Sequence, residues 1–172
     1  MKIKIQPKLI RRITATIIDY GLYFTFFIWL ITTYGEPNED DGFSLNGLKG
    51  IWIEIVWLIY FPVIESISGQ TLGKKILGLK IVTKSGNPIS LLQSFKRHLV
   101  DFLDFGMLGL VAFIAIKNTP DHQRLGDLWA KTIVIGGDEF NCSNCGEQLT
   151  LTANEMINRA FDCPSCQTNI KI

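Results

Sequence analysis

Residues 13–34 read ITATIIDYGLYFTFFIWLITTY, a run in which Asp19 is the one charged side chain. A helix needs about 20 mostly apolar residues to cross the hydrocarbon of a bilayer, and this run supplies them. Arg12 stands at its head. At 3.6 residues per turn, positions 12 and 19 share a face two turns apart, with the small residues Ala15 and Thr16 between them. A carboxylate inside a spanning helix costs at least ~2.5 kcal/mol on insertion scales. Such groups are kept where they face a protein interior or a water-filled path. The spacing predicts a buried Arg12–Asp19 pair, either as a functional site or as a purely structural ion pair.

Charge segregation supports the membrane reading. The chain has 172 residues, is 47% hydrophobic and carries a net charge of +1. Lys2, Lys4, Lys8, Arg11 and Arg12 precede the first apolar block, and Glu36, Glu39, Asp40 and Asp41 follow it. Lys74, Lys75, Lys80, Lys84, Lys96 and Arg97 follow the second block. The positive-inside bias places residues 1–12 and 68–98 in the cytoplasm and the acidic loop outside. The first block is too long for a signal peptide and lacks a small-residue cleavage site after it.

The second block, IWIEIVWLIYFPVIESI at 51–67, is a second span in which Pro62 should kink the helix. Glu54 and Glu65 are eleven residues apart, close to three turns, and are expected on one face. Beyond it, Leu79–Thr83 and Lys131–Ile135 are strand-like and are natural pairing partners on one side of the membrane. Residues 91–116 contain Arg97, Asp101 and Asp104, with Gly106 and Gly109 as interruptions. The clean apolar stretch, 107–116, spans about 15 Å of helix and is too short to cross. The block reads as an amphipathic helix followed by a re-entrant or interfacial one, with both termini cytoplasmic. A third span, which would put the tail outside, is the alternative. Arg97–Asp101 has the spacing of an ordinary i,i+4 pair.

All four cysteines lie in the polar tail, as Cys142-Ser-Asn-Cys145 and Cys163-Pro-Ser-Cys166, with seventeen residues between the pairs. That spacing suits a four-thiolate zinc site, each C-x-x-C turn aiming two sulfurs at one tetrahedral centre. Gly146 follows the first turn, where the chain reverses, and Gln167 holds the matching place after the second. Thr152 and Glu155 have capping-box spacing for a short helix between them. Two disulfides, if the tail lies outside, and an iron site are the alternatives. About 35 residues make too small a core to fold unaided, so one structural zinc is expected to hold the tail together.

Three segments carry a family resemblance: Arg12-Ile-Thr-Ala-Thr-Ile-Ile-Asp19, Gly69-Gln-Thr-Leu-Gly-Lys-Lys-Ile-Leu-Gly-Leu-Lys-Ile-Val, and Gln123-Arg-Leu-Gly-Asp127-Leu-Trp-Ala-Lys-Thr-Ile-Val-Ile. In this order they resemble the RDD family of prokaryotic membrane proteins, over about residues 8–136. The resemblance puts the family's arginine and two aspartates on Arg12, Asp19 and Asp127. It implies a bacterial inner-membrane location and a role in moving ions or other ligands. Many members read His-Asp in the last motif, whereas this chain has Gly126-Asp127, with His122 upstream.

The expected fold is a mainly α membrane protein. It comprises a small bundle of two to three spans with a re-entrant or amphipathic segment, a short cytoplasmic β pairing, and an all-β zinc ribbon. The transmembrane domain is 1–137 and the ribbon 138–172. Transport would use Asp19, Glu65, Asp101, Asp104 and Asp127 with Arg12, Arg97 and Arg124 as switching partners. Two or three spans cannot enclose a path alone, so this reading needs a homo-oligomer or another membrane partner. The alternative is a membrane-anchored module whose ribbon binds a cytoplasmic protein. Nucleic acid is not expected, because the tail holds only Arg159 and Lys171 against five acids. An enzyme is not expected either. His98 and His122 are isolated in sequence, and Gly69–Lys75 lacks P-loop spacing.

Overall fold

The computed structural model describes residues 7–37, 42–45, 48–107 and 109–171. Lys2, Lys4 and the loop acids Glu39, Asp40 and Asp41 lie outside them. Helix α1 (Leu9–Tyr34) carries the apolar run and ends at Gly35. A two-residue antiparallel pairing, β1 (Glu36–Pro37) with β2 (Phe43–Ser44), leads to the second long helix. That helix is α2 (Leu48–Leu58), a π-helical turn over Ile59–Val63, and α3 (Ile64–Ser68). Leu9–Tyr34 and Lys49–Ser68 are each long and apolar enough to cross a membrane. Ile17, Ile28, Trp52 and Ile67 on them are more than half exposed. A soluble protein rarely shows so extended an apolar surface; a bilayer absorbs it.

Pro62 sits inside the π-helical turn, so the expected break is present. It also overturns the shared face of Glu54 and Glu65. A π turn holds one residue more than an α turn and rotates all that follows by about 100°. Glu54 is exposed, whereas Glu65 is fully buried.

After α3 the chain makes the short helix α4 (Leu72–Ile76) and strand β3 (Lys80–Thr83). Residues 91–116 are not one span. They form α5 (Leu91–Leu99), α6 (Asp101–Gly106) and α7 (Leu110–Asn118). Ser90 starts α5 with a capping box: its hydroxyl accepts from the Gln93 N–H, and Gln93 Oε1 accepts from the Ser90 N–H. Helix α8 (Leu125–Ala130) precedes β4 (Thr132–Ile135), which pairs antiparallel with β3, Lys80 opposite Ile135 and Thr83 opposite Thr132. The expected pairing is therefore made.

The tail is two hairpins flanking one short helix. β5 (Asp138–Asn141) pairs with β6 (Gln148–Leu151), and β7 (Ala160–Asp162) with β8 (Asn169–Lys171). Between them, α9 (Ala153–Asn158) begins with the Thr152/Glu155 capping box. A small core of Phe140, Leu151, Phe161 and Ile170 fills the space between the hairpins. Ala153, Met156 and Ile157 pack on Val82, Ile133 and Ile135, seating the tail on the β3–β4 pair.

Candidate functional site

Two close approaches place the charged groups. Helix α4 lies against α1 because position 73 is glycine. A Cβ there would fall 3.0 Å from the Asp19 carboxyl carbon and closer still to the Ala15 carbonyl oxygen. Helix α8 lies against α5 for the same reason, since a Cβ on Gly126 would sit 2.7 Å from the Arg97 carbonyl oxygen.

The first contact settles Asp19. Its Oδ1 accepts from the Gly73 N–H at 2.7 Å and the Tyr60 hydroxyl at 2.8 Å, and Oδ2 accepts from the Thr71 hydroxyl at 2.5 Å. Arg12 is not its partner. The guanidinium donates through Nη1 to Asp127 at 3.4 Å. Residues 12 and 19 do share the inner face of α1, but the backbone and hydroxyls of the GQTLGKK segment reach Asp19 first. Asp19 therefore ties α4 and the second long helix to α1.

The second contact builds a buried ion array. Arg97, 1% exposed, donates to Glu65 through Nε at 3.0 Å, and its Nη1 donates to both Asp127 and the Thr132 hydroxyl. Glu65 also accepts from Lys74 and from the Ser94 hydroxyl at 3.1 Å. The i,i+4 pairing of Arg97 with Asp101 does not form, since Arg97 turns toward Glu65 and α8. Asp101 is instead held by Arg124, by His98 at 2.7 Å and by the Tyr20 hydroxyl at 3.1 Å. Burial alone would push the Asp101 carboxyl up, but Arg124 and His98 hold it well below the usual carboxylate range. Asp127 behaves likewise: burial raises it, while Arg97, Arg124 and Arg12 outweigh burial and lower it.

Asp104 differs. It is 8% exposed, neither carboxylate oxygen has a hydrogen-bond donor, and Arg124 Nη1 is 3.8 Å away. Burial, with Asp101 and Asp127 nearby, pushes its carboxyl above the usual range against the pull of Arg124. Arg12 has the opposite vacancy, because its Nε and Nη2 are buried without acceptors. Both side chains line a cavity of about 720 Å³ between α1 and the α6–α7 segment. Arg97, Asp101, Arg124 and Asp127 border it too, and its remaining wall is mostly apolar.

A profile of the RDD family matches residues 6–131. Over 143 residues the chain is 34% identical to the uncharacterized protein YckC of Bacillus subtilis strain 168, covering 76% of this chain and 87% of that protein. The chain belongs to the RDD family. A second Bacillus subtilis relative, the uncharacterized protein YxaI, is 33% identical over 82 residues, covering 47% of this chain and 53% of YxaI. No solved structure matches. Of the three residues on which the resemblance puts the family's arginine and two aspartates, Arg12 and Asp127 meet across the fold, while Asp19 serves a separate contact.

Beyond the RDD core, Cys142, Cys145, Cys163 and Cys166 bring their sulfurs within 4.8 Å of one another. Cys142 and Cys166 are 3.7 Å apart, as are Cys145 and Cys163. A tetrahedron with metal–sulfur bonds of about 2.3 Å has edges of ~3.8 Å, whereas a disulfide needs ~2.05 Å. The four thiols fit a tetrahedral metal. Hydrogen bonding to Thr168 and Asn144 pulls the Cys166 thiol down to about 6, while the sulfurs of Cys142, Cys166 and Cys163 push the Cys145 thiol up, so the four do not titrate alike. The two turns are closed alike: the Gly146 N–H donates to the Cys142 carbonyl at 2.9 Å and the Gln167 N–H to the Cys163 carbonyl at 2.8 Å. Both residues are left-handed, so Gln167 accepts a strain that Gly146 avoids.

Lys74, read from sequence only as one of the basic residues after the second block, and His98, read as isolated, are both array members. Lys74 resembles the lysines around it, and only its position one residue after the buried Gly73 sets it apart. His98 follows Arg97 and lies three residues before Asp101, a spacing that places it toward the acid on one helical face. His122 stays outside the array, its imidazole bonded to the Ile116 carbonyl at 2.9 Å.

Proposed function

We infer that this protein moves an ion or a small charged ligand across a bacterial inner membrane. It would be a multi-pass protein with both termini cytoplasmic, as the positive-inside bias requires. One observation carries the reading: a cavity between α1 and α6–α7 is walled by ionised groups, two of which, Arg12 and Asp104, hold polar atoms with no partner. A moving charge needs such a station, where it is met by a group that no fixed ion pair already satisfies. Asp104 is that group, Arg124 its switching partner, and Glu65 with Arg97 and Asp127 the fixed frame. Two spans do not enclose a path, so the working unit is a homo-oligomer or a complex with another membrane protein. Zinc at the four cysteines is structural, with every ligand position taken by sulfur. No catalytic step is assigned.

The seating of the acidic, metal-stabilised tail on β3–β4 favours a second reading, a membrane-anchored adaptor that presents the ribbon to a cytoplasmic protein. Proteoliposomes separate the two. Under an imposed pH gradient, wild-type protein should move a proton or an alkali cation, and Asp104→Asn should abolish the movement without altering the size-exclusion profile. No flux of any alkali cation or proton would hand the function to the adaptor.

A further inference from the structure

The cavity has a shape and chemistry that an inorganic ion does not fill. Its mouth is apolar and turned outward: Ile17 is 66% exposed, Leu110 54% and Phe113 40%, and all three line it. Ile17 lies on a helix long and apolar enough to cross a bilayer, so acyl chains would reach that mouth. Its polar floor is the array Arg12–Asp127–Arg124–Asp104, with unsatisfied charge at each end.

The two vacancies have different geometries. Arg12 already uses Nη1 on Asp127, and the atoms left free are Nε and Nη2. Those two N–H groups lie along one edge of the planar guanidinium and point the same way. That is the bidentate fork for phosphate or carboxylate oxygens. Asp104 offers two acceptor oxygens and no donor reaches them, which suits a cation bearing N–H groups. A small cation would satisfy Asp104 and leave Arg12 stranded; a small anion would do the reverse. Buried charges without partners are costly, so the complementary ligand carries both signs, an anion and an ammonium, with an apolar body for the rest of the volume.

We propose that this cavity binds a zwitterionic aminophospholipid of the surrounding bilayer, phosphate on the free edge of Arg12, primary ammonium on Asp104, and an acyl chain along Ile13, Ile17, Leu110 and Phe113. The site is a rival to the transport reading at Asp104, since the lipid ammonium would take the carboxylate that reading leaves for a moving cation. It is read at equilibrium, without a gradient, so its failure and the failure of the flux experiment are separate results.

The test is native mass spectrometry of the delipidated full chain titrated with defined lipids. Phosphatidylethanolamine should bind at least tenfold more tightly than phosphatidylglycerol, which offers the phosphate without the ammonium. Asp104→Asn should remove that preference while leaving phosphatidylglycerol binding unchanged, and Arg12→Gln should weaken both. Arg12 also contacts Asp127, so the melting profile of Arg12→Gln is compared with wild type; Asp104, which accepts no hydrogen bond and has Arg124 at 3.8 Å, gives the cleaner variant. Equal binding of the two lipids, or phosphatidylcholine binding as well as phosphatidylethanolamine, would overturn the ammonium assignment. Displacement by chainless glycerophosphoethanolamine at equal concentration would overturn the lipid in favour of a soluble ligand. A dimer that binds no lipid would give the cavity to a second copy of the chain.

Discussion

At the scale of single residues, the array separates carboxylates that stabilise the fold from one that opposes it. Asp101 and Asp127 are held below the usual carboxylate range by the guanidiniums around them. Their contribution is present at neutral pH and is lost only as pH falls through those lowered values. Asp104 has the reverse sign. Its carboxyl is raised by burial, so its effect is favourable while protonated and is lost as pH rises through the folded value. In the delipidated protein at pH 7, Asp104→Asn should therefore raise stability, by about 1 kcal/mol for a buried polar site of this kind. The gain should shrink as pH falls below the ordinary aspartate range, where wild-type Asp104 becomes neutral in the folded and unfolded chain alike. Thermal melts of the two proteins across pH check this. A gain that persists unchanged into acid would mean that shape, and not charge, sets the difference.

At the scale of elements, the membrane domain rests on two glycine contacts, and the α1–α4 contact can be tested alone. Gly73→Ala forces a Cβ into the Ala15 carbonyl and the Asp19 carboxyl group, both backbone-fixed or hydrogen-bonded. Helix α4 must withdraw, and the Gly73 N–H bond to Asp19 is strained or lost. A cost of about 1–3 kcal/mol is expected from overpacking, read as a lowered melting midpoint in detergent, whereas Gly106→Ala, with open space around it, should cost far less. This contact also marks how far the sequence could be read. The long helices, the β3–β4 pairing, the α9 cap and the four-cysteine cluster follow from period, length and spacing, which are local properties of the chain. The partner of Arg12 is not local. It lies 115 residues away on Asp127, whereas the nearer Asp19 is taken by a backbone N–H that a glycine alone lets approach. Glu65 was misplaced relative to Glu54 for a related reason: a single π turn changes the phase of everything beyond it, and Pro62 marks the break without fixing its kind.

At the scale of the whole molecule, the tail is fastened to the membrane domain at three places. Lys8, at the head of α1, pairs with Asp138 at 2.5 Å and donates to the Val134 carbonyl at 3.3 Å. The Gly137 N–H donates to the Leu151 carbonyl at 2.8 Å, and Arg159 Nη2 to the Ser85 carbonyl at 3.0 Å. The apolar seat of α9 on β3–β4 completes the attachment. The tail's own core is small, so a metal held by the four cysteines would supply much of its folding free energy. Removing the metal should therefore loosen the tail and, through these contacts, the β3–β4 pair beneath it. Hydrogen exchange on the full chain after chelation should show the amides of β5 to β8 and α9 unprotected, and those of β3 and β4 exchanging about tenfold faster, equivalent to about 1.4 kcal/mol of lost local stability. The loosening should stop there. Asp19 with α4 and Arg97 with Glu65 and Asp127 form contacts that include no tail residue, so protection in α4 and α5 should be unchanged. Spread of the exchange into α5 would show that tail and ion array form one cooperative unit, and an unaffected β3–β4 pair would show that the tail rests on the domain without supporting it.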